Sequence, residues 1–285
     1  MPTRLIRAVT AVALTTIAGA LVLAACTSGD GSDGGDVPCI DTSGVPELQD
    51  GILTVGSSFN FEPITFVDAE TVAPDGLDID LAAALARSLC VEVEFVTTDF
   101  GDLIDAVNTA DFDIIMSAMT VTDERSQEVD FIPYANVGTA ILVRAGNPTD
   151  ARRLADLCGL TVAVQKDTIQ VGQLEEQDRE CRVASMGPID VLLFDTTPQA
   201  VTDLTTAGSD ASITDFPAAF VAARESGGRL ELLDEQIEPL PYGIGLRKDS
   251  AALNSVLAEA LDGLIGSEIY ESTFEAWSLG NAALE

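Results

Sequence analysis

Apolar residues recur along this chain in two alternating rhythms. From Gly51, ILTVG (52–56) is a short apolar run closed by glycine, the pattern of a buried strand. GLDIDLAAALARSL (76–89) spaces Leu77, Leu81, Ala84, Leu85 and Leu89 at helical intervals, whereas VEVEFV (91–96) alternates with the period of a strand. DLIDAVNTA (102–110) reads as a short amphipathic helix and FDIIMSA (112–118) as a further apolar strand. This βαβαβ order, with brief connections, predicts an α/β layer on a mostly parallel sheet. The pattern then restarts: AILVR (140–144) strand, DARRLADL (150–157) helix, LTVAVQ (160–165) strand, TIQVGQLEEQ (168–177) helix, TPQAVTDLTTA (197–207) helix and DASIT (210–214) strand. PAAFVAARES (217–226) is a helix with proline in its first turn, LELL (230–233) follows, and two helices close the chain near 250–264 and 267–277. Two α/β lobes of similar build result.

The first 25 residues differ from all of this. Arg4 and Arg7 precede the apolar run AVALTTIAGALVLAA, which ends at Cys26. A basic start, a short apolar stretch and small residues at its end are the marks of a secretory signal, and the run is short for a membrane span. Leu23-Ala24-Ala25-Cys26 resembles the lipobox of bacterial lipoproteins, in which the cysteine carries the lipid. Residues 26–49, Cys26 followed by TSGDGSDGGD (27–36) with nothing to bury, read as a lipidated flexible tether and N-terminal segment.

The chain has 47 acidic and 14 basic residues, a formal charge of −33, and this excludes nucleic acid and anionic lipid headgroups as partners. A hydrophobic content of 47% in regular periods argues for a folded body despite the charge. Four cysteines remain beyond Cys26, and an even number in an exported chain favours disulfides. Three pairings are possible; Cys39–Cys90 with Cys158–Cys181 is the most economical. There is no histidine, so Ser-His-Asp and Cys-His catalysis and imidazole metal ligands are all absent. No metal site and no cofactor is expected.

GLDIDLAAALARSLCVEVEFV, FDIIMSAMTVTDERSQEVDFIPY, LTVAVQKDTIQ, DASITD and YGIGLRK occur in that order. Together they make the chain resemble the extracytoplasmic solute-binding proteins of polar amino-acid ABC importers, family 3, over about residues 51–279. The resemblance implies a two-lobed periplasmic-binding-protein-like (type II) fold. Each lobe is then a mixed, mostly parallel sheet flanked by helices, and two hinge strands join the lobes. The crossovers fall near Thr139–Ile141 and Pro239–Tyr242, giving lobe 1 as 50–139 plus 242–285 and lobe 2 as 140–241. Both economical disulfides then stay within one lobe. It further implies a monomer that takes an amino-acid ligand and an ABC permease as partners, held by its lipid to the outer face of the cytoplasmic membrane.

On this resemblance Arg125 is the ligand-carboxylate arginine, a planar two-pronged donor suited to that task. The alternative for Arg125 is pairing with Glu128 or Asp130 on its own helix. Asp215 is the ammonium-binding aspartate, with the alternative of capping the helix that follows it. Thr120 and Thr168 supply backbone donors, Phe61 and Phe100 the aromatic walls, and Ala118 lines the cleft between. Ser58 stands where the family commonly has an aspartate that reads basic side chains, which argues against lysine, arginine or ornithine. Glu62, Gln165 and Lys166 are candidates to read a polar tip, and Asp167 stands where glycine is usual. A dehydratase on the same fold, with Glu62 as its acid, and a sensor subunit are the competing functions.

Overall fold

The computed structural model describes residues 39–233 and 236–284; the signal segment, Cys26 and the tether as far as residue 38 lie outside the described residues. The first half runs β1 (Ile52–Ser57), β2 (Asn60–Phe61), β3 (Thr65–Val67), β4 (Pro74–Asp75), α1 (Leu77–Leu89), β5 (Glu92–Thr97), α2 (Leu103–Asn108), β6 (Ile114–Ile115), α3 (Arg125–Glu128) and β7 (Asp130–Arg144). The second runs β8 (Thr161–Gln165), α4 (Ile169–Val183), β9 (Asp190–Phe194), α5 (Thr197–Thr205), β10 (Ala211–Asp215), α6 (Phe216–Glu225), β11 (Leu230–Leu232) and β12 (Ile237–Leu246), then α7 (Ala251–Leu264) and α8 (Glu268–Ala276).

One mixed sheet of order β5-β1-β6-β12-β7-β10-β8-β9 passes through both halves. The outer pairs β1/β5, β1/β6, β8/β10 and β8/β9 are parallel, as short buried strands joined by helices require. The two long strands β7 and β12 pair antiparallel with each other and carry the sheet from one half to the other. Core membership changes along them. Ile132, Tyr134, Ala135 and Val137 of β7 and Tyr242, Ile244 and Leu246 of β12 belong to a core with α1, α7 and α8. Further along β7, Ile141 and Val143 belong to a second core with β8, β10 and α4. The register of β7 against β12 shifts between Ile237 and Leu240, where the cores change over, and again between Tyr242 and Gly243, within the first core.

Helix α1 shows why these sequences fold so. Leu77, Leu81, Leu85 and Leu89 are at most 1% exposed, and burying each leucine stabilises by about 1.5–3 kcal/mol. Cys90 ends the helix in the left-handed region and is bonded to Cys39, so the start of the described chain is stapled to the first core, where Val45 and Leu48 are buried. The second disulfide joins Cys158 to Cys181 inside the second half.

Three expectations need correction. FDIIMSA forms only the two-residue β6, because Met116 to Thr120 turn into a buried loop held by side chains. DARRLADL gives a single 3-10 turn at Leu154–Leu157, its polar start being taken up by turns about Asn147 and Asp150. AILVR is the end of a fifteen-residue strand whose Pro133 and polar positions conceal its length. Strand β9, DVLLF, is unforeseen; it is an edge strand with Leu193 58% exposed, and its apolar run shows no alternation.

Asp78, in the first turn of α1, is wholly buried. It accepts hydrogen bonds from the Ala118 amide at 2.8 Å and the Tyr134 hydroxyl at 2.6 Å. Burial nevertheless pushes its pKa up to about 7. The folded state therefore holds a proton that the unfolded chain releases near 3.8, and stability present below that value is lost as pH rises through 7. Unfolding free energy should be lower at pH 8 than at pH 5, with Asp78 contributing about 2.5 kcal/mol to the fall; chemical denaturation of Asp78→Asn should show a flatter pH profile over this range. Carboxylates held low by turn hydrogen bonds, such as Asp68 and Asp156, act only below this window. Replacing both Cys158 and Cys181 by alanine, which opens a loop of sequence separation 23, should cost about 3 kcal/mol in the same assay.

Candidate functional site

Strand ends of both halves meet at one cleft. On the first side, β1 ends at Ser57 and Ser58 follows it, and both are bonded to the loop after β6. The Ser58 amide donates to Ser117 Oγ at 3.0 Å, and Asn60 Nδ2 donates to Ser58 Oγ at 3.0 Å. Ala118 lies in the left-handed region, with φ 53°. Thr120 is bridged to Tyr242 by bonds from the flanking amides, Val121 to Pro241 and Gly243 to Met119, which leaves the Thr120 N–H outside that ladder.

Arg125 opens α3 and is turned away from its acidic neighbours. Its Nη1 donates to the Thr120 carbonyl at 2.8 Å, its Nη2 donates to the Asp167 carbonyl at 3.0 Å, and its guanidinium lies 5.4 Å from the Phe100 ring centre. Asp130 pairs instead with Lys248 at 3.8 Å, and no ion pair among the described residues involves Arg125. Pairing along its own helix is thereby overturned. Burial holds the Arg125 pKa below the usual guanidinium value, against the charges of Asp215, Glu124 and Asp167.

On the second side, β8 ends at Gln165 and the turn Lys166–Asp167–Thr168 leads into the fifteen-residue α4. Asp167 adopts φ 62°, so an aspartate takes the left-handed conformation for which glycine is the usual residue. A Cβ on Gly101 would meet Asp167 Oδ2 at 2.6 Å, so a larger residue there would push the Asp167 carboxylate aside. Thr168 precedes α4 with its hydroxyl donating to the Gln165 carbonyl at 2.8 Å, and the start of a helix favours an anion.

Asp215 ends β10 and is 7% exposed. It makes no side-chain cap to α6. Its carboxylate instead accepts from Tyr242 Oη at 2.6 Å and from Gln170 Nε2 at 2.6 Å, and Gln170 also donates to Thr139 Oγ1 at 3.0 Å. Burial pushes its pKa up to about 6, against these hydrogen bonds and the Arg125 charge. Both long strands, β7 through Thr139 and β12 through Tyr242, thus hold this one carboxylate.

Ser58, Phe61, Phe100, Ala118, Thr120, Arg125, Thr168 and Asp215 all line the same cleft, together with Asn60, Ser117, Gln165 and Gln170. Arg125 and Asp215 are the charged members of that lining. The structure does not keep the polar-tip candidates as a set. Gln165 Oε1 is taken by the Thr197 amide and hydroxyl, and Lys166 pairs with Asp195 at 2.7 Å on the surface. Glu62 lines a neighbouring cavity of about 500 Å³ against α5 and α6, where burial and Glu225 raise its pKa. A further cavity of about 280 Å³ extends from Ser58 and Asn60 to Asp99, Lys166, Asp167 and Asp195. Sequence reasoning missed Gln170, Tyr242 and Asp78. For Tyr242 the signal is a tyrosine in an otherwise apolar strand, whose hydroxyl needs a partner once buried.

A family model described as bacterial extracellular solute-binding proteins, family 3, matches residues 53–280. The arginine-binding protein ArgT of Corynebacterium glutamicum is 30% identical over 247 residues, 85% of this chain and 79% of that protein. An ancestral arginine-binding protein bound to arginine superposes with a TM-score of 0.74 at 32% identity, covering 80% of this chain and 98% of that one. An ancestral arginine-binding protein bound to glutamine gives 0.73 at 32%, covering 80% of this chain and 98% of that one. AncCDT-1, an ancestral amino acid-binding protein described as a precursor of cyclohexadienyl dehydratase, gives 0.73 at 31%, covering 81% of this chain and 96% of that one. With matches of this length, and with the sheet and cleft described above, this chain belongs to family 3 of the bacterial extracellular solute-binding proteins.

Proposed function

We propose that this protein is the capture component of an ABC importer: it encloses a free α-amino acid between two lobes and presents it to a membrane permease, with no covalent step. The observation that carries this is the pairing of Arg125 on one side of the cleft with Asp215 on the other. The guanidinium receives the α-carboxylate, with the amides of Thr120 and Thr168 as further donors, and Asp215 receives the α-ammonium. Phe61 and Phe100 enclose the side chain, and Ser58 and Ala118 complete the wall. Lobe 1 is 50–139 with 242–285 and lobe 2 is 140–241; the change of core membership along β7 and β12 supports these limits. Closure of a two-lobed protein on its ligand is a hinge motion, and neither side alone neutralises both ends of a zwitterion.

The side chain we assign is uncharged, because the cleft offers it Ser58, Asn60 and two phenyl rings and commits its one carboxylate to the ammonium. A long basic side chain is the second reading. It is favoured by Asp99, Asp167 and Asp195 around the adjoining cavity, and by the ligand of the arginine-bound neighbour. The lipid on Cys26 would tether the capture body beside its permease on the outer face of the membrane, and the body acts there as a monomer.

A thermal-shift screen over the amino acids tests the function: a ligand at 100 times its Kd adds about 2.7 kcal/mol. Glutamine-like ligands shifting the transition while arginine does not is the expected result; the reverse would establish the basic reading, and turnover of arogenate or prephenate would replace the receptor with an enzyme. Arg125→Ala should melt like the wild type and lose at least a hundredfold in affinity by calorimetry, and unchanged affinity would refute the clamp. Because Asp215 must be ionised to hold an ammonium, affinity should be full above pH 7 and fall as pH drops through 6. Kd at pH 5 should be about tenfold that at pH 7.5, and Asp215→Asn should bind weakly with no such slope.

A further inference from the structure

Behind the anion side of the cleft stands a second buried carboxylate that touches no cleft-lining side chain directly. Asp78 is fully buried, and its two oxygens serve two different elements. Oδ2 receives the amide of Ala118 at 2.8 Å, and Oδ1 receives the hydroxyl of Tyr134, on β7, at 2.6 Å. Ala118 holds φ 53°, a conformation that alanine avoids unless its surroundings impose it. Two residues on, the Thr120 carbonyl fixes Arg125 Nη1 at 2.8 Å. Tyr134 is itself fixed, since the Tyr270 hydroxyl donates to its carbonyl at 2.6 Å and the Leu284 amide donates to Tyr270. The carboxylate therefore ties a strained loop, which orients the arginine, to the strand that crosses between the cores.

We propose that Asp78 is the positioning residue of the carboxylate-binding half: its anchorage of Ala118 to Tyr134 sets the place of Thr120 and Arg125. This rests on the clamp reading of the cleft. A buried carboxyl group is costly as mere core, because an apolar residue would fill the space without a desolvation cost; what it supplies is two acceptors that hold the Ala118 amide and the Tyr134 hydroxyl in fixed directions. Above pH 7, where Asp78 is ionised, both of its oxygens accept; Asn in its place keeps the shape but offers one acceptor and one donor, so the bond with Tyr134 must reverse or break.

The test is the preference of the site for an amino acid over its α-carboxamide at pH 8, where Asp78 is ionised, measured by calorimetric competition with the amino acid that most stabilises the wild type. Asp78→Asn should lower affinity for the acid about tenfold and for the amide less than twofold, narrowing the preference accordingly. A residue serving only the fold would weaken both ligands alike, and an unchanged preference overturns the proposal. Tyr134→Phe, which removes one donor and leaves the carboxylate on Ala118, should narrow the preference about threefold and decides the matter if Asp78→Asn does not fold. Failure of the wild type to bind any amino acid, or full binding by Arg125→Ala, would instead refute the clamp itself.

Discussion

Burial of the Asp215 carboxylate is the constraint on which the rest of this structure turns. A carboxylate at 7% exposure must be compensated by donors or by charge, and here two donors and one charge come from three separate places. Tyr242 brings one from β12, Gln170 brings another from the first turn of α4, and the Arg125 charge acts on it from the other side of the cleft. The two long strands and the two strand-to-helix junctions must therefore be in register for one group to be satisfied. Its pKa near 6 says that the arrangement leaves the anion only partly compensated. A group in that condition is suited to accepting an incoming cation, because the cation supplies what the protein withholds.

The acidic surface fits the same economy of cations. With 14 basic residues against 47 acidic ones, most arginines and lysines are engaged at the surface by neighbours such as Asp150, Asp178 and Asp195. Arg125 is set apart by geometry, its guanidinium spanning the Thr120 and Asp167 carbonyls with the Phe100 ring against it. A carbonyl is a neutral acceptor, so this arginine keeps its charge available for a charged one.

Helices and parallel strands were largely legible in the sequence, because a buried face of Leu, Val and Ala imposes a period wherever one side of an element meets the core. β9 and the first half of β7 were not, since an edge strand and a strand shared between two cores present no single buried face. The cleft lining was legible through the family's motifs rather than through periodicity, as Ser58, Thr120 and Thr168 are ordinary residues until the strand ends are brought together. Hydrogen-bond partners were the illegible part. That Asp215 would be taken by Tyr242 and Gln170 rather than cap α6, or that Asp78 would serve Ala118, depends on contacts between residues 27 to 45 apart in the chain, which no local pattern encodes.

The contact of Arg125 with the Asp167 carbonyl has a further consequence for selectivity over time. On the proposed reading, an arriving carboxylate would meet an arginine already held by an acceptor from the other half of the protein rather than one solvated by bulk water. Capture would then be an exchange with an internal rival at fixed effective concentration, and affinity would follow the difference between the two acceptors. Neutral or weakly accepting solutes would lose that exchange whatever the fit of their side chains. On release the Asp167 carbonyl would take back the guanidinium as the ligand departs.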